Sequence, residues 1–278
     1  MEIVRTVAEL RSWTSEQRKN GFSIGLVPTM GSVHSGHLSL VNIAYNYVDI
    51  VIASVFVNPL QFSPQEDFDQ YPRDEIMDAK LFEAAGVKLL YIPNKDEVYC
   101  KGHSTTIHIG PLNDDLEGQF RPHFFVGVAT VVTKLLIQVN PDAAIFGEKD
   151  FQQLCIIKKL VKDLDICIQI IGGKTVRESD GLAISSRNQY LSDQERILAR
   201  ELYAGMQSLN KHFQSLEEID GACDDLKGSL LKAGFSAVDY LVIRHAESLE
   251  RLVSPAKPMR ILGAAWLGKT RLIDNLCF

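Results

Sequence analysis

An excess of basic charge is missing from this 278-residue chain, in which 29 Lys and Arg stand against 35 Asp and Glu for a formal net charge of −6. That balance provides no electrostatic footprint for nucleic acid or for an anionic membrane. Long apolar runs are missing too. The longest, Ile50–Val57, is interrupted by Ser54 and has the length of one buried strand, far short of the ~20 residues a spanning helix needs. The opening Met-Glu-Ile-Val-Arg is not followed by the apolar core of a secretion signal. Cysteine is sparse. Cys100, Cys155, Cys167, Cys223 and Cys277 are odd in number and form no C-x-x-C pair, which argues against a disulfide framework or a zinc site. Five buried thiols in a cytoplasmic protein are the expectation. His103, His108, His123, His212 and His245 show no metal-ligand spacing. Neither G-x-x-x-x-G-K-[ST] nor a G-x-G-x-x-G after a strand occurs, so a bound nucleotide must be held by other means.

What is present is an alternation of short apolar strands with helices. Thr6-Val-Ala-Glu9 is a capping box that opens a helix ending near Asn20. Strands are predicted at Phe22–Val27, Asp49–Val57, Lys88–Ile92, Ala143–Phe146 and Asp165–Ile171. Helices are predicted through Leu38, Val41 and Tyr45, over Asp74–Ala85, over Phe125–Gln138 and over Asp150–Leu164. Asn58–Pro72 reads as a polar loop with three prolines, Pro59, Pro64 and Pro72. Strands joined through helices imply right-handed crossovers and a doubly wound parallel sheet over residues 1–175. Ligands in such sheets bind outside the carboxyl ends of the strands. Residues 176–187 read as a connecting loop, and residues 188–278 as a smaller α+β domain. In that domain Ser192-Asp-Gln-Glu195 opens a helix to about Phe213, and a second helix covers Leu216–Lys232. Strand-like runs follow at Ala237–Arg244, Met259–Trp266 and Arg271–Ile273.

Unusual residues gather in the loops that leave strand ends. Pro28-Thr-Met-Gly31-Ser-Val-His34-Ser-Gly36-His37 lies between a strand and a helix. Its glycines permit tight turns and close approach of a ligand. The helix start aims free N–H groups and the positive end of its dipole at the loop. His34 and His37 can donate to phosphate oxygens. Phe146-Gly-Glu-Lys149-Asp150-Phe-Gln-Gln153 occupies a second such position. Lys149 supplies a point charge for phosphate, Asp150 a cap or a ribose acceptor, and Gln153 an amide on the first helical turn. Thr175-Val-Arg-Glu-Ser-Asp180-Gly-Leu-Ala-Ile184-Ser-Ser-Arg187-Asn188 offers hydroxyls and a guanidinium suited to a polyphosphate. Phe56-Val-Asn58-Pro-Leu-Gln61-Phe62 places neutral amides beside aromatics and suits a small hydroxylated ligand. On composition alone these last two segments also fit a polar linker and an ordinary turn.

Together these segments resemble the pantothenate synthetase family over nearly the whole length, through Tyr71-Pro-Arg73, Glu117-Gly-Gln-Phe-Arg-Pro122, Ala265-Trp-Leu-Gly and Arg271-Leu-Ile-Asp-Asn275. The family belongs to the nucleotidyltransferase superfamily that shares H-x-G-H. The resemblance implies a Rossmann-like domain with a C-terminal lid, and an ATP-dependent ligase that joins pantoate to β-alanine through an acyl-adenylate. ATP is expected along Met30, Gly31, Ser32, Val33, His34, Ser35, Gly36 and His37, then Gly147, Glu148, Lys149 and Asp150, then Val176, Ile184, Ser185, Ser186 and Arg187. His37 matches the family's catalytic histidine, with His34 beside it on the phosphates. Gln61 and Gln153 match the pantoate pair, with Gln61 also near β-alanine. Mg²⁺ accompanies ATP in the family, no metal ligands are assigned, and a homodimer is expected. One departure is clear: the family pattern R-P-G-H-F-x-G-V becomes Arg121-Pro-His123-Phe124-Phe-Val-Gly127-Val. His123 could reach the place of the family's histidine, or one donor is lost. A related adenylyltransferase is the competing enzyme. Its phosphorylated acceptor would call for Lys or Arg where Gln61 and Gln153 stand. A nucleotide-binding module without turnover is the non-enzyme alternative.

Overall fold

A computed structural model describes residues 1–63 and 66–278. Pro64, in the loop predicted over Asn58–Pro72, lies outside the described residues. The chain divides into two compact units, Met1–Glu148 with Ile156–Lys174, and Lys149–Cys155 with Thr175–Phe278.

The first unit is built on a parallel sheet of β1 (Glu2–Val4), β2 (Ile24–Thr29), β3 (Ile50–Val55), β4 (Leu89–Tyr91), β5 (Ala143–Gly147) and β6 (Gln169–Gly173), in the order β1-β4-β3-β2-β5-β6. The expected doubly wound sheet is therefore present. Its helices are α1 (Val7–Lys19), α2 (Ser35–Ala44), α3 (Glu75–Ala84), the single turns α4 (Lys95–Val98) and α5 (Glu117–Phe120), and α6 (Phe124–Val139). Helix α7 (Phe151–Asp163) follows β5. Strand β3 is buried along nearly its whole length, as its continuous Val/Ile run requires of a central parallel strand. Helix α2 packs on β2, β5 and β6, while α6 packs on β2 and α1 packs on α6. Val27, Val41, Val51, Phe82, Leu90 and Ile145 join in one apolar cluster. Strand order reverses between β2 and β5, and the loops leaving those two strands flank the switch point where ligands enter such sheets.

The edge strand β1 is absent from the sequence prediction because three residues carry no period. Its pairing with β4 in the register Glu2 to Leu89 comes from tertiary packing. Helix α1 begins at the predicted capping box, with Thr6 and Glu9 bonded reciprocally.

In the second unit, α8 (Asp193–Ser208) and α9 (Leu216–Ala233) pack on an antiparallel sheet of β7 (Ala237–His245), β8 (Met259–Leu267) and β9 (Thr270–Cys277). Helix α8 stops at Ser208, short of the predicted Phe213, and β9 runs on to Cys277, beyond the predicted Ile273. Cys155 and Cys223 are buried, but Cys100, Cys167 and Cys277 are exposed. This corrects the expectation of five buried thiols. The exposed three lie just past α4, in the loop before β6 and at the end of β9, where no core forms. No helix among the described residues is long and apolar enough to cross a membrane.

Helix α6 approaches the short turn Pro59–Gln61 at Gly127, where a Cβ would stand 2.2 Å from the Leu60 carbonyl oxygen. Gly127→Ala forces the two backbones apart, an overpacking cost of roughly 1–3 kcal/mol. Thermal unfolding should show a Tm lower by roughly 2–10 °C. An unchanged Tm would mean that α6 and the turn are not in this contact.

Candidate active site

The loop between β2 and α2 is held by a carboxylate from another helix. Asp78, on α3, is buried and accepts the Ser32 N–H at 3.0 Å and the Val33 N–H at 2.7 Å. Burial raises the Asp78 carboxyl above its ordinary range, against the pull of these two amides, and nearby Asp74 adds to the rise. Gly31 and Ser32 take positive φ values of 85° and 52° to bring both amides toward it. A side chain at Gly31 would also meet Asp78 Oδ2 at 2.8 Å. The Thr29 hydroxyl accepts the Gly31 N–H at 3.2 Å and donates to the Ser54 carbonyl at 2.9 Å, tying the loop to β3 as well.

This clamp delivers His34 to the N-cap of α2 and His37 to its first turn. Their rings stack with centroids 4.0 Å apart. The His34 backbone N–H donates to His37 Nδ1 at 3.4 Å. With Nδ1 accepting, the neutral His37 ring carries its proton on Nε2, which is then the donor. Gly36 serves a different purpose from the turn predicted for it. The His34 ring covers its face, and a Cβ there would stand 2.9 Å from His34 Cε1. The glycine of H-x-G-H thus makes room for its own histidine.

A second set of polar groups sits where β3 ends. Asn58 caps the turn Pro59–Gln61 by accepting the Leu60 N–H, and Gln61 is buried beside it. Gln61 Nε2 reaches Met30 Sδ at 2.8 Å, which links this turn to the histidine loop. Arg121 pairs with Glu66 through Nε and Nη2 at 2.7 and 2.8 Å, and its Nη2 donates to the Gln61 carbonyl at 3.3 Å. Phe124 lies under that guanidinium, 3.7 Å from ring centroid to Cζ. Phe124 therefore supports Arg121 by a cation–π contact. His123 is exposed at the N-cap of α6 and makes no side-chain cap bond.

The remaining sequence candidates are divided between the two units. Gly147 ends β5 with open space over its Cα, and Glu148 follows half-buried. In the second unit Lys149 and Asp150 lie in the turn before α7, with Lys149 Nζ 3.9 Å from Asp150 Oδ1, and Gln153 is half-buried on the first turn. The Lys149 carbonyl accepts from Asn275 Nδ2 at 3.0 Å. Val176 and Ile184 face one another in a backbone hydrogen bond of 3.0 Å, closing a hairpin around Gly181. The hairpin is fastened by Arg177, which binds Asp274 through both Nη atoms at 2.6 and 2.8 Å and stacks on Tyr203. Ser185 caps the turn Ser186–Tyr190 by accepting the Arg187 N–H at 3.3 Å. Sequence reasoning missed Asp78 and Arg177. Asp78 lies one turn before Phe82 on the buried side of α3, a spacing that hints at burial but not at its loop partners.

A family profile for pantoate-beta-alanine ligase matches residues 2–277. Pantothenate synthetase of Rhodospirillum rubrum is 50% identical over 281 residues, covering 99% of this chain and 98% of the relative. The enzyme of the same name from Caulobacter vibrioides is 49% identical, with 99% and 97% covered. The crystal structure of pantothenate synthetase from Thermus thermophilus superposes with a TM-score of 0.87 at 42% identity, covering 99% of each chain. Pantoate-beta-alanine ligase from Francisella tularensis, solved in complex with beta-gamma ATP and beta-alanine, superposes with a TM-score of 0.84 at 33% identity, covering 100% and 97%.

The clamp can be tested without reference to turnover. Asp78→Asn keeps one acceptor and turns an amide N–H₂ against the other loop N–H. Exchange of the Ser32 and Val33 amides should accelerate by roughly five- to 150-fold, the kinetic equivalent of ~1–3 kcal/mol. Global Tm should change little, because the neutral amide also relieves a buried charge. Unaltered exchange at both amides would show that another group holds the loop.

Proposed function

Because the chain belongs to the pantoate-beta-alanine ligase family, we propose that it activates pantoate with ATP as an acyl-adenylate and passes the pantoyl group to β-alanine. It is a ligase that forms an amide bond. A free carboxylate resists attack by an amine because its oxygen is a poor leaving group. In the first step a pantoate carboxylate oxygen bonds to the α-phosphorus of ATP, and pyrophosphate leaves. In the second the amine of β-alanine bonds to the acyl carbon and AMP leaves, carrying one oxygen of the original carboxylate. The bound adenylate must be kept from water between the steps, and we assign that to residues 188–278 as a lid over residues 1–175, with 176–187 joining them.

The observation that carries the reading is the clamped loop at the strand-order switch. It fixes His34 and His37 at the start of α2, with the His34 N–H on His37 Nδ1. We assign His37 to the phosphate oxygens on which charge gathers as pyrophosphate departs, with His34 stacked against it. Met30–His37, Gly147 and Glu148 then line the nucleotide in the first unit. In the second unit Lys149, Ser185 and Arg187 are assigned to the triphosphate, and Asp150, Val176, Ile184 and Ser186 to the rest of the nucleotide. Gln61 and Gln153 are assigned to pantoate, and Gln61 also to β-alanine. Mg²⁺ is assigned to the substrate as MgATP. A homodimer working in the cytoplasm completes the proposal.

AMP release measured with each substrate omitted in turn tests the reading. Release should require pantoate, and continuous release should require β-alanine as well. His37→Ala should slow single-turnover adenylate formation by about 10²–10³-fold with little change in ATP affinity, the usual worth of one such donor. A loss below about tenfold would remove His37 from this role.

A further inference from the structure

The amides between β3 and α6 have an orientation that can be read from backbone groups alone. Asn58 is 1% exposed, so each of its polar atoms must be satisfied inside the protein. Its Oδ1 faces the Leu60 N–H at 3.2 Å, a group that only donates. Its Nδ2 faces the Gly127 carbonyl at 3.1 Å, a group that only accepts. These two contacts allow one orientation of the Asn58 amide. The second Nδ2 proton goes to Gln61 Oε1 at 3.0 Å. One acceptor site of the Gln61 oxygen is thereby occupied, and its Nε2 is turned away from Asn58, onto Met30 Sδ at 2.8 Å. A thioether is a weak acceptor, so a substrate oxygen can displace it.

The far end of this relay is Tyr99, just after α4. Its hydroxyl donates to Asn58 Oδ1 at 2.8 Å and completes that atom's bonding. The ring is wedged between His103 and Phe56, with centroids 4.9 and 6.1 Å away. Burial raises the phenol above its ordinary range, so the hydroxyl stays protonated and stays a donor.

We propose that Tyr99 is a positioning residue for ligation, holding Gln61 through Asn58 so that Gln61 presents its amide N–H₂ to an oxygen acceptor of the substrate. The acceptor is a carboxylate or hydroxyl oxygen. An ammonium group would set donor against donor at Nε2, so this atom meets β-alanine through its carboxylate. The inference rests on the assignment of Gln61 to pantoate and adds the polarity of that contact and the residue that fixes it.

The test is a double-mutant cycle on pantoate KM. Tyr99→Phe keeps the ring and removes one neutral hydrogen bond, and should raise pantoate KM roughly two- to tenfold, the range for one such bond. ATP KM and Tm should stay near wild type. In a Gln61→Ala background the same change should add nothing further, because the two residues act as one unit. Gln61→Glu should bind pantoate worse than Gln61→Ala, since it offers acceptors alone. An equal Tyr99→Phe effect in both backgrounds would overturn the positioning role, and so would an equal rise in ATP KM. Wild-type pantoate KM in Gln61→Glu would overturn the polarity. If Gln61→Ala itself leaves pantoate KM unchanged, the assignment of Gln61 fails, and the inference fails with it.

Discussion

One buried carboxylate governs the shape of the loop between β2 and α2. Asp78 receives the amides of Ser32 and Val33 and so pins the turn after β2 to α3. A buried charge is costly unless it is fully bonded, and here the backbone itself supplies the bonds. The consequences run outward. Gly31 must be glycine, because of both its φ and the Asp78 oxygen beside it. Helix α2 then begins with a histidine as its N-cap, and the pair of stacked rings occupies the space that Gly36 leaves open. Groups set on a rigid helix start need no rearrangement when charge develops beside them, which is the property the proposed role of His37 requires.

The turn Pro59–Gln61 is governed by neutral groups instead. Asn58 satisfies Leu60 and Gly127 and orients Gln61, with α6 close enough that Gly127 can carry no side chain. Networks of this kind specify one arrangement only when every member is bonded. Arg121 supports the same turn from outside, bonded to Glu66 and to the Gln61 carbonyl and stacked on Phe124. The Phe124 ring under the guanidinium thus helps hold Arg121 against this turn.

Much of this was legible in the sequence, and what was not shares a cause. Strand β3 declares itself as a run of Val and Ile with no polar alternation. The capping boxes at Thr6 and Ser192 mark helix starts because both partners lie within four residues. The H-x-G-H loop and the Gly147–Asp150 turn stand out as glycine and charge placed between a strand and a helix. Edge strand β1 is three residues long and exists only through β4. Asp78 looked like any acid in the first turn of a helix. Its partners are 45 and 46 residues away, and local pattern carries no information about them. Tyr99 and Arg177 escaped notice for the same reason, since their roles rest on Asn58 and Asp274 at separations of 41 and 97 residues.

The proposed reaction activates a carboxylate by adenylation. The route of one oxygen atom decides it. Pantoate labelled with oxygen-18 in its carboxylate is turned over with ATP and β-alanine, and the products are weighed by mass spectrometry. Attack of the carboxylate on the α-phosphorus predicts AMP carrying a single labelled oxygen and pyrophosphate carrying none. Label recovered in inorganic phosphate, with ADP in place of AMP, would mean attack on the terminal phosphorus through an acyl phosphate and would contradict the account.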